Sequence, residues 1–350
     1  MLDLVSMITA QQRKREMPLL AEIFGSSKPS LVASTVDAFC TNELGSRIIE
    51  TYFFALGQSA VFGLRLCEGP CVVVKAHSSR HNIEFLYALT QVQHYLADQG
   101  FPCPRPILEM RALAQGFATV EELKNEGEYR NPHDPVVRRS LAELLARQIA
   151  LTQHPEAIPG IQPKLFDRRL SPEVLWPVSH DAIFNFEATA AGAEWIDALA
   201  RPAHQAVLQG AGQLVLGHTD WSVKHVRYVG EQVSAVYDWE SLALEKEPAI
   251  VGAASAYFTY NEWPGMTPHL PSQDEALAFV SEYEAARGKP FSPEEYQTLA
   301  AAATYQLAYA ARCEHSLQPE ERDYPDDSCR AILTHYGDSF LKKQQAEAVK

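Results

Sequence analysis

The stretch GHTDWSVKHVRYVGEQVSAVYDWES, residues 217–241, determines how the rest of the chain is interpreted. The apolar run QLVLGH leads into it, and the short β-rich runs VRYV and VSAVYDW follow, separated by Gly-Glu, a turn signal. Asp220 comes just after the first apolar strand, and Asp238 ends the last one. If those two strands are neighbours, both carboxylates emerge at one end of the unit. Aspartate is also a common turn and cap residue, which is the structural alternative for each position.

The two carboxylates have the chemistry that phosphoryl transfer requires. Mg²⁺ is held in proteins by one or two carboxylates together with phosphate oxygens of the substrate. A second carboxylate nearby can accept the proton of a hydroxyl nucleophile. Because phosphoryl transfer depends mainly on positioning and on charge neutralisation, such a pair is sufficient to suggest it.

Two motifs in this stretch carry a family resemblance. HTD followed by WSVKH resembles the catalytic loop His-x-Asp-x-x-x-x-Asn of aminoglycoside phosphotransferases and choline kinase-like proteins, and VYDWES resembles their metal-binding Asp motif. The resemblance covers roughly residues 46–316. It implies an α+β, protein-kinase-like bilobal fold, with a small antiparallel-sheet N-lobe and a larger, mainly helical C-lobe. It also implies that Asp220 is the base, that Asp238 binds Mg²⁺ and that His218 braces the catalytic loop.

One position departs from the family pattern. Five residues after Asp220 the pattern has Asn, and this chain has His225. An amide oxygen suits Mg²⁺, whereas imidazole is a poor ligand for it. Three readings stay open: His225 coordinates the metal through a neutral nitrogen, one metal is held less tightly, or a water intervenes.

The remaining sequence divides into three regions. Residues 1–45 have apolar positions at helical spacing and predict a helical extension. Residues 46–112 predict a nucleotide-binding N-lobe, with a three-stranded meander, a helix and a Pro-rich hinge near 101–111. Residues 113–350 predict the C-lobe; after one further strand pair and a polar boundary they are mostly helical, apart from the hairpin unit.

Four N-lobe residues are candidates for the nucleotide site. Lys75 ends the third strand, CVVVK, from which it could reach the phosphates, although strand-end lysines are common on exposed edges. Glu84 is its expected ion-pair partner, and its alternative is a first-turn glutamate that the helix dipole favours. Gly57 and Ser59 lie in the first turn, GQSA, where backbone N–H groups could bind phosphate. The alternative for that turn is a plain hairpin.

The expected function is that of a small-molecule kinase which uses ATP or GTP with Mg²⁺. The expected acceptor is a hydroxyl group of an aminoglycoside or another antibiotic. Acidic residues of the C-lobe, Glu240, Glu262 and Glu314, would suit a cationic acceptor, and their alternative is a solvated acidic face. Two other functions stay open: a metabolic kinase acting on a sugar, amino alcohol or amino acid, and a non-catalytic nucleotide-binding scaffold.

Composition excludes several other classes of protein. The net charge of -14 disfavours a nucleic acid partner. No uninterrupted apolar run is long enough to cross a bilayer, and the first twenty residues lack the apolar core of a signal peptide. The six cysteines form no CxxC pair, which predicts reduced thiols and a cytoplasmic location.

Overall fold

The computed structural model describes residues 2–13, 16–167, 170–179, 181, 183–261, 269–321 and 324–342. The chain forms two compact units. The first contains residues 1–126 with 158–161, and the second contains residues 127–157 with 162–350. The first is built around an antiparallel sheet and the second is mainly helical, so the predicted α+β fold class is confirmed. No helix of the described residues is long and apolar enough to cross a membrane.

Three helices precede the sheet of the first unit: α1 (Leu2–Gln12), α2 (Pro18–Phe24) and α3 (Pro29–Leu44). Prolines open α2 and α3, and Gly25 and Gly45 end them in the left-handed conformation, the usual positions for these two residues. Apolar residues of the three helices join those of the sheet in one buried cluster. The predicted helical extension is therefore part of the core of the first unit.

The sheet has five strands in the order β1-β2-β3-β5-β4, and all neighbours are antiparallel. The strands are β1 (Ile48–Leu56), β2 (Ala60–Leu66), β3 (Cys71–His77), β4 (Pro106–Leu113) and β5 (Gly116–Glu122). Helix α4 (Ile83–Asp98) connects β3 to β4, and the side chain of Asn82 caps its first turn. The three-stranded meander forms as predicted, and β5 extends it by pairing with β3.

The predicted boundary at residue 112 and the predicted hinge near 101–111 differ from the structure. Residues 106–113 form strand β4 inside the first unit, which continues to Glu126. The cause is the tight connection between β4 and β5, in which Leu113 pairs with Gly116. Because β5 lies between β3 and β4, the chain stays in the sheet until Glu122, and the segment that leads out of the unit follows β5.

The second unit contains six helices and four short strands among its described residues. The helices are α5 (Pro135–Thr152), α6 (Glu194–Gln209), α7 (Glu247–Tyr257), α8 (Gln273–Arg287), α9 (Pro293–Leu317) and α10 (Cys329–Tyr336). The strands are β6 (Leu214–His218), β7 (Val226–Val229), β8 (Gln232–Val236) and β9 (Leu242–Lys246). Strands β7 and β8 form the predicted hairpin, with Gly230 at φ 61° in its two-residue turn.

One assumption about this unit was wrong. The sequence suggested that the strand before Asp220 and the strand before Asp238 could be neighbours. In the structure β6 pairs with β9 and β8 pairs with β7, so the two strands lie in different two-stranded sheets. Each pairing continues one residue beyond its strands: the backbone N–H of Thr219 donates to Ser241 O at 3.0 Å beside β6 and β9, and that of Tyr237 donates to His225 O at 2.9 Å beside β7 and β8. A hydrogen bond between His218 Nε2 and Tyr237 O, 3.0 Å apart, links the two sheets.

Candidate active site

His218 anchors the loop that follows β6. Its side chain is fully buried, and its backbone N–H donates to Oε1 of Gln148 on α5 at 3.1 Å. Burial lowers the pKa of His218, so the ring is neutral, and Nε2 donates its hydrogen to Tyr237 O at 3.0 Å. The rings of Trp221 and Trp239 pack edge-on against it. His218 thus connects the end of β6 to the residue before Asp238, and its role in bracing a catalytic loop stays a prediction.

Asp220 is held through only one of its two carboxylate oxygens. Lys224 Nζ and His225 Nε2 each lie 3.0 Å from Oδ2. No partner of Oδ1 is found in the part of the chain that the structure describes, and 34% of the side chain is exposed. Burial acts to raise the pKa of Asp220, but the hydrogen bond from His225 and the ammonium of Lys224 outweigh it and lower the pKa well below its usual range. The carboxylate is therefore ionised.

Asp238 lies immediately beyond β8, in an unusual backbone conformation. Its φ of 63° and ψ of 46° are left-handed, and aspartate is one of the few residues besides glycine that adopt this conformation readily. The next three residues form a short 3₁₀ turn, in which Ser241 Oγ donates to Asp238 Oδ2 at 3.1 Å. The same oxygen lies 3.5 Å from His225 Nε2. One potential ligand atom from each of Asp220, His225 and Asp238 lies within 4.8 Å of the others.

The donor set fits a divalent cation at Asp238 more clearly than at His225. The carboxylate of Asp238 is 38% exposed and is the kind of ligand that Mg²⁺ prefers. The imidazole of His225 suits Mg²⁺ poorly, and its Nε2 already lies at hydrogen-bonding distance from Asp220. Asp238 is therefore the residue of this group whose side chain suits a divalent cation best.

Lys224 contacts Asp220, and two stacked tyrosines lie beside Lys224. Lys224 Nζ lies 5.2 Å from the centre of the Tyr260 ring, and that ring stacks on Tyr257 with centres 4.5 Å apart. Burial raises the pKa of Tyr257 well above its usual value, so its hydroxyl stays protonated. The sequence motifs assign no role to Lys224. Its position four residues after Asp220 is the signal that could have identified it.

In the first unit, Lys75 has a different acidic partner from the one predicted. Its Nζ lies 3.2 Å from Oε1 of Glu121 on β5, and Gln93 of α4 donates to the other oxygen at 2.7 Å. Lys75 pairs with Thr119 across the two strands, so Glu121 is its diagonal neighbour on the same face of the sheet. Glu84 lies exposed in the first turn of α4. The predicted ion pair between Lys75 and Glu84 is therefore corrected to one between Lys75 and Glu121.

The predicted phosphate-binding turn is a tight connection between β1 and β2. Leu56 pairs with Ala60, and the backbone N–H of Gly57 donates to Ser59 O at 3.0 Å. Gly57 is exposed, whereas Ser59 is buried. Their contact with phosphate stays a prediction.

The three acidic acceptor candidates have different environments. Glu240 is half-buried in the 3₁₀ turn that follows Asp238. Glu262 lies outside the described residues. The two oxygens of Glu314 accept the backbone N–H groups of Cys329 at 2.8 Å and Arg330 at 3.1 Å, at the start of α10. Burial raises the pKa of Glu314. Its carboxylate binds the first turn of α10, a contact that the sequence did not indicate.

Comparison with known proteins gives one family and several solved structures. The model of the phosphotransferase enzyme family matches residues 52–245. No curated protein matches the sequence. An amicoumacin kinase, solved with AMP-PNP, Ca²⁺ and Ami, has a TM-score of 0.59 at 13% identity, over 89% of this chain and 95% of that one. A spectinomycin phosphotransferase, solved with ADP and spectinomycin, has a TM-score of 0.54 at 14% identity, over 89% of this chain and 93% of that one. An ethanolamine kinase of Plasmodium vivax has a TM-score of 0.52 at 12% identity, over 95% of this chain and 94% of that one.

Proposed function

The chain belongs to the phosphotransferase enzyme family, and we propose that it transfers the γ-phosphoryl group of ATP or GTP to a hydroxyl group of an antibiotic. The resemblance inferred from the two motifs is confirmed, as is the kinase-like fold. The chain is a phosphotransferase with a hydroxyl acceptor. The acceptor, the metal ion and the roles of individual residues are proposals.

The environment of Asp220 carries this proposal. Two N–H donors, from Lys224 and His225, hold Oδ2 at 3.0 Å each, while Oδ1 stays available. An acceptor hydroxyl that donates its hydrogen bond to Oδ1 would point its oxygen lone pair away from the carboxylate. Because the pKa of Asp220 is lowered, the carboxylate mainly orients the hydroxyl and takes up its proton late, as the new oxygen–phosphorus bond forms.

Asp238 is proposed to hold the metal that accompanies the nucleotide. Its backbone conformation and the hydrogen bond from Ser241 fix the direction of its carboxylate at the end of β8. A Mg²⁺ ion held there would supply positive charge beside the nucleotide phosphates. Glu240, two residues further on, is a proposed contact of a cationic acceptor.

Lys75 is proposed to bind the nucleotide phosphates. Its ammonium lies 3.2 Å from Glu121 Oε1, and Gln93 donates to the other oxygen of that carboxylate, so the carboxylate that holds the lysine is itself held in place. The positive charge of Lys75 is the property that suits a phosphate ligand.

An antibiotic acceptor is favoured over a metabolite because two of the similar structures are kinases of antibiotics, amicoumacin and spectinomycin. The likeness to ethanolamine kinase makes an amino alcohol the second candidate. Both classes carry a hydroxyl group, and many of their members carry a positive charge. Because the two acceptor classes share these groups, only an activity assay with both classes distinguishes them.

The test is transfer of labelled γ-phosphate from ATP or GTP to a panel of aminoglycosides, other hydroxyl-bearing antibiotics, amino alcohols, sugars and hydroxyl amino acids. We expect a labelled antibiotic, and we expect Asp220→Ala to lower kcat by about 10²–10⁴-fold, the range of a general base. Asp338→Ala, at an exposed aspartate of the same unit, is the matched control and should keep full activity. If the wild-type protein binds nucleotide, labels no acceptor and behaves like Asp220→Ala, the scaffold function replaces this one.

A further inference from the structure

We propose that the ring of Phe53 stacks on the base of the bound nucleotide, and that Gly63 provides the space in which this ring lies. The inference rests on the proposed use of ATP or GTP. Phe53 belongs to strand β1 and Gly63 to strand β2, both in the sheet of the first unit. Three observations support the proposal: the face of the sheet that both residues share with Lys75, the contact between them, and the exposed surface of the ring.

Phe53 and Gly63 lie on the same face of the sheet as Lys75. Phe53 pairs with Gly63, and Gly63 pairs with Val73 of β3. Directly paired residues of antiparallel strands share a face, and so do residues two apart on one strand, such as Val73 and Lys75. The opposite face, to which Val74 belongs, is buried in the cluster that contains the three N-terminal helices. The ring and the ammonium are therefore presented on one side of the sheet.

Gly63 leaves a place that the ring of Phe53 fills. A Cβ atom added at residue 63 would lie 2.3 Å from Cε1, 2.5 Å from Cδ1 and 2.8 Å from Cζ of Phe53. Carbon atoms that are not bonded pack best at about 3.5–4.0 Å, so any side chain at residue 63 would displace the ring. The ring thus extends from β1 across β2. A glycine inside a strand often marks a point where a ligand approaches the sheet closely.

The ring also retains an exposed surface. Phe53 is 37% exposed, whereas its neighbour Phe54, on the opposite face, is 6% exposed. A cross-strand aromatic ring above a strand glycine stabilises a sheet by itself, which is the structural alternative for this pair. That alternative requires the contact with Gly63 but gives no role to the exposed part of the ring.

The position of Lys75 indicates which ligand would meet this surface. Lys75 lies two residues beyond Val73 on β3, about 7 Å along the strand from the row that contains Phe53 and Gly63. A nucleotide has a planar base at one end and charged phosphates at the other. An aromatic ring and an ammonium in neighbouring rows of one face suit these two ends. Because every base has a π-face, stacking of this kind does not depend on which purine is bound.

Binding of nucleotide fragments tests the proposal without measuring activity. AMP-PNP, GMP-PNP and inorganic tripolyphosphate are titrated with Mg²⁺ into the full-length protein by calorimetry, and adenosine and guanosine are followed by ligand-observed NMR. Phe53→Leu should weaken binding of the nucleotides and nucleosides that the wild type binds by at least about 5-fold, as expected for the loss of one base stack. Binding of tripolyphosphate should not change. Lys75→Met should show the opposite pattern, with tripolyphosphate weakened and the nucleosides unchanged.

Two further variants serve as controls of this experiment. Tyr87→Leu, at an exposed aromatic residue of α4 in the same unit, should leave the binding of every probe unchanged. Phe53→Tyr keeps the aromatic ring and should retain the wild-type affinity for nucleotide. Wild-type nucleotide affinity in Phe53→Leu, or an equal loss of tripolyphosphate and nucleotide binding, would overturn the proposal.

A double-mutant cycle tests the part played by Gly63. Gly63→Ala should displace the ring and weaken nucleotide binding, with tripolyphosphate unaffected. In Phe53→Leu the same change should cost much less, because the ring that it displaces is absent. Urea unfolding of the four proteins shows whether each is compared in its folded state. An equal loss of nucleotide affinity in both backgrounds would contradict the proposal.

The outcomes also separate this inference from the proposed function. If the protein transfers phosphate and Phe53→Leu leaves its nucleotide affinity and nucleotide KM unchanged, the stacking inference fails and the function stands. If the wild-type protein binds neither nucleotide and labels no acceptor, the proposed function fails and the inference falls with it.

Discussion

Replacing Gln148 by methionine should destabilise the protein and displace the loop that carries Asp220. Gln148 is fully buried on α5, where Oε1 accepts the backbone N–H of His218, and Nε2 donates to Leu216 O at 3.0 Å and to Thr152 Oγ1 at 2.9 Å. Methionine has a similar volume and a similar helix propensity, so the change removes the polar contacts and little else.

The magnitude follows from which groups lose their partners. Leu216 O keeps a hydrogen bond from Thr152 Oγ1 at 2.7 Å, whereas the N–H of His218 loses its acceptor at a buried position. A neutral hydrogen bond contributes about 1 kcal/mol, and an orphaned buried donor costs about 1–3 kcal/mol. We therefore expect Gln148→Met to lower the free energy of unfolding by about 2–3 kcal/mol.

The assay is equilibrium unfolding in urea, combined with steady-state kinetics. Gln153→Met, at an exposed glutamine just beyond the same helix, is the matched control and should change the free energy of unfolding by less than about 0.5 kcal/mol. Because His218 connects β6 to the segment before Asp238, kcat should fall in Gln148→Met at temperatures where it stays folded. If Gln148→Met is as stable and as active as Gln153→Met, these hydrogen bonds do not support the active-site loop.

Three further changes test other parts of the site. Asp238→Asn should abolish the gain in nucleotide affinity that Mg²⁺ provides, as measured by calorimetry. The fold should survive, because asparagine also tolerates a left-handed backbone. Unchanged nucleotide affinity would contradict the metal role. Lys75→Met should weaken nucleotide binding and also destabilise the protein, because Glu121 loses its cation. Adding Glu121→Gln to this variant should restore stability but not nucleotide affinity. Recovery of both would place Lys75 outside the nucleotide site. Burial lowers the pKa of His77 to about 3, below the ordinary value of 6.5, so the unfolded chain takes up a proton first as the pH falls. The contribution of His77 to stability is therefore constant above pH 6.5 and declines between pH 6.5 and about 3, by about 2 kcal/mol at pH 5. Urea unfolding from pH 7 to pH 5 should show a smaller loss in His77→Leu, and equal losses in both proteins would refute this assignment.

The sequence alone determined the features that depend on neighbouring residues. The β7–β8 hairpin follows from alternating apolar residues around Gly230. The contacts of Lys224 and His225 with Asp220 connect residues four and five positions apart, so the local path of the chain brings them together. The family motifs predict roles for both aspartates from the sequence alone, because each motif is one short segment.

The tertiary structure decided the features that join distant segments. Glu121 reaches Lys75 because β5 pairs with β3, a strand order that apolar periodicity does not encode. The carboxylate of Glu314 accepts the backbone N–H groups of Cys329 and Arg330 at the start of α10, because α10 packs against α9. Gln148 supports His218 from a helix 70 residues earlier in the chain. A sequence pattern reports which face of an element is buried, but the partner across that face depends on how the elements pack, and packing is a property of the whole fold.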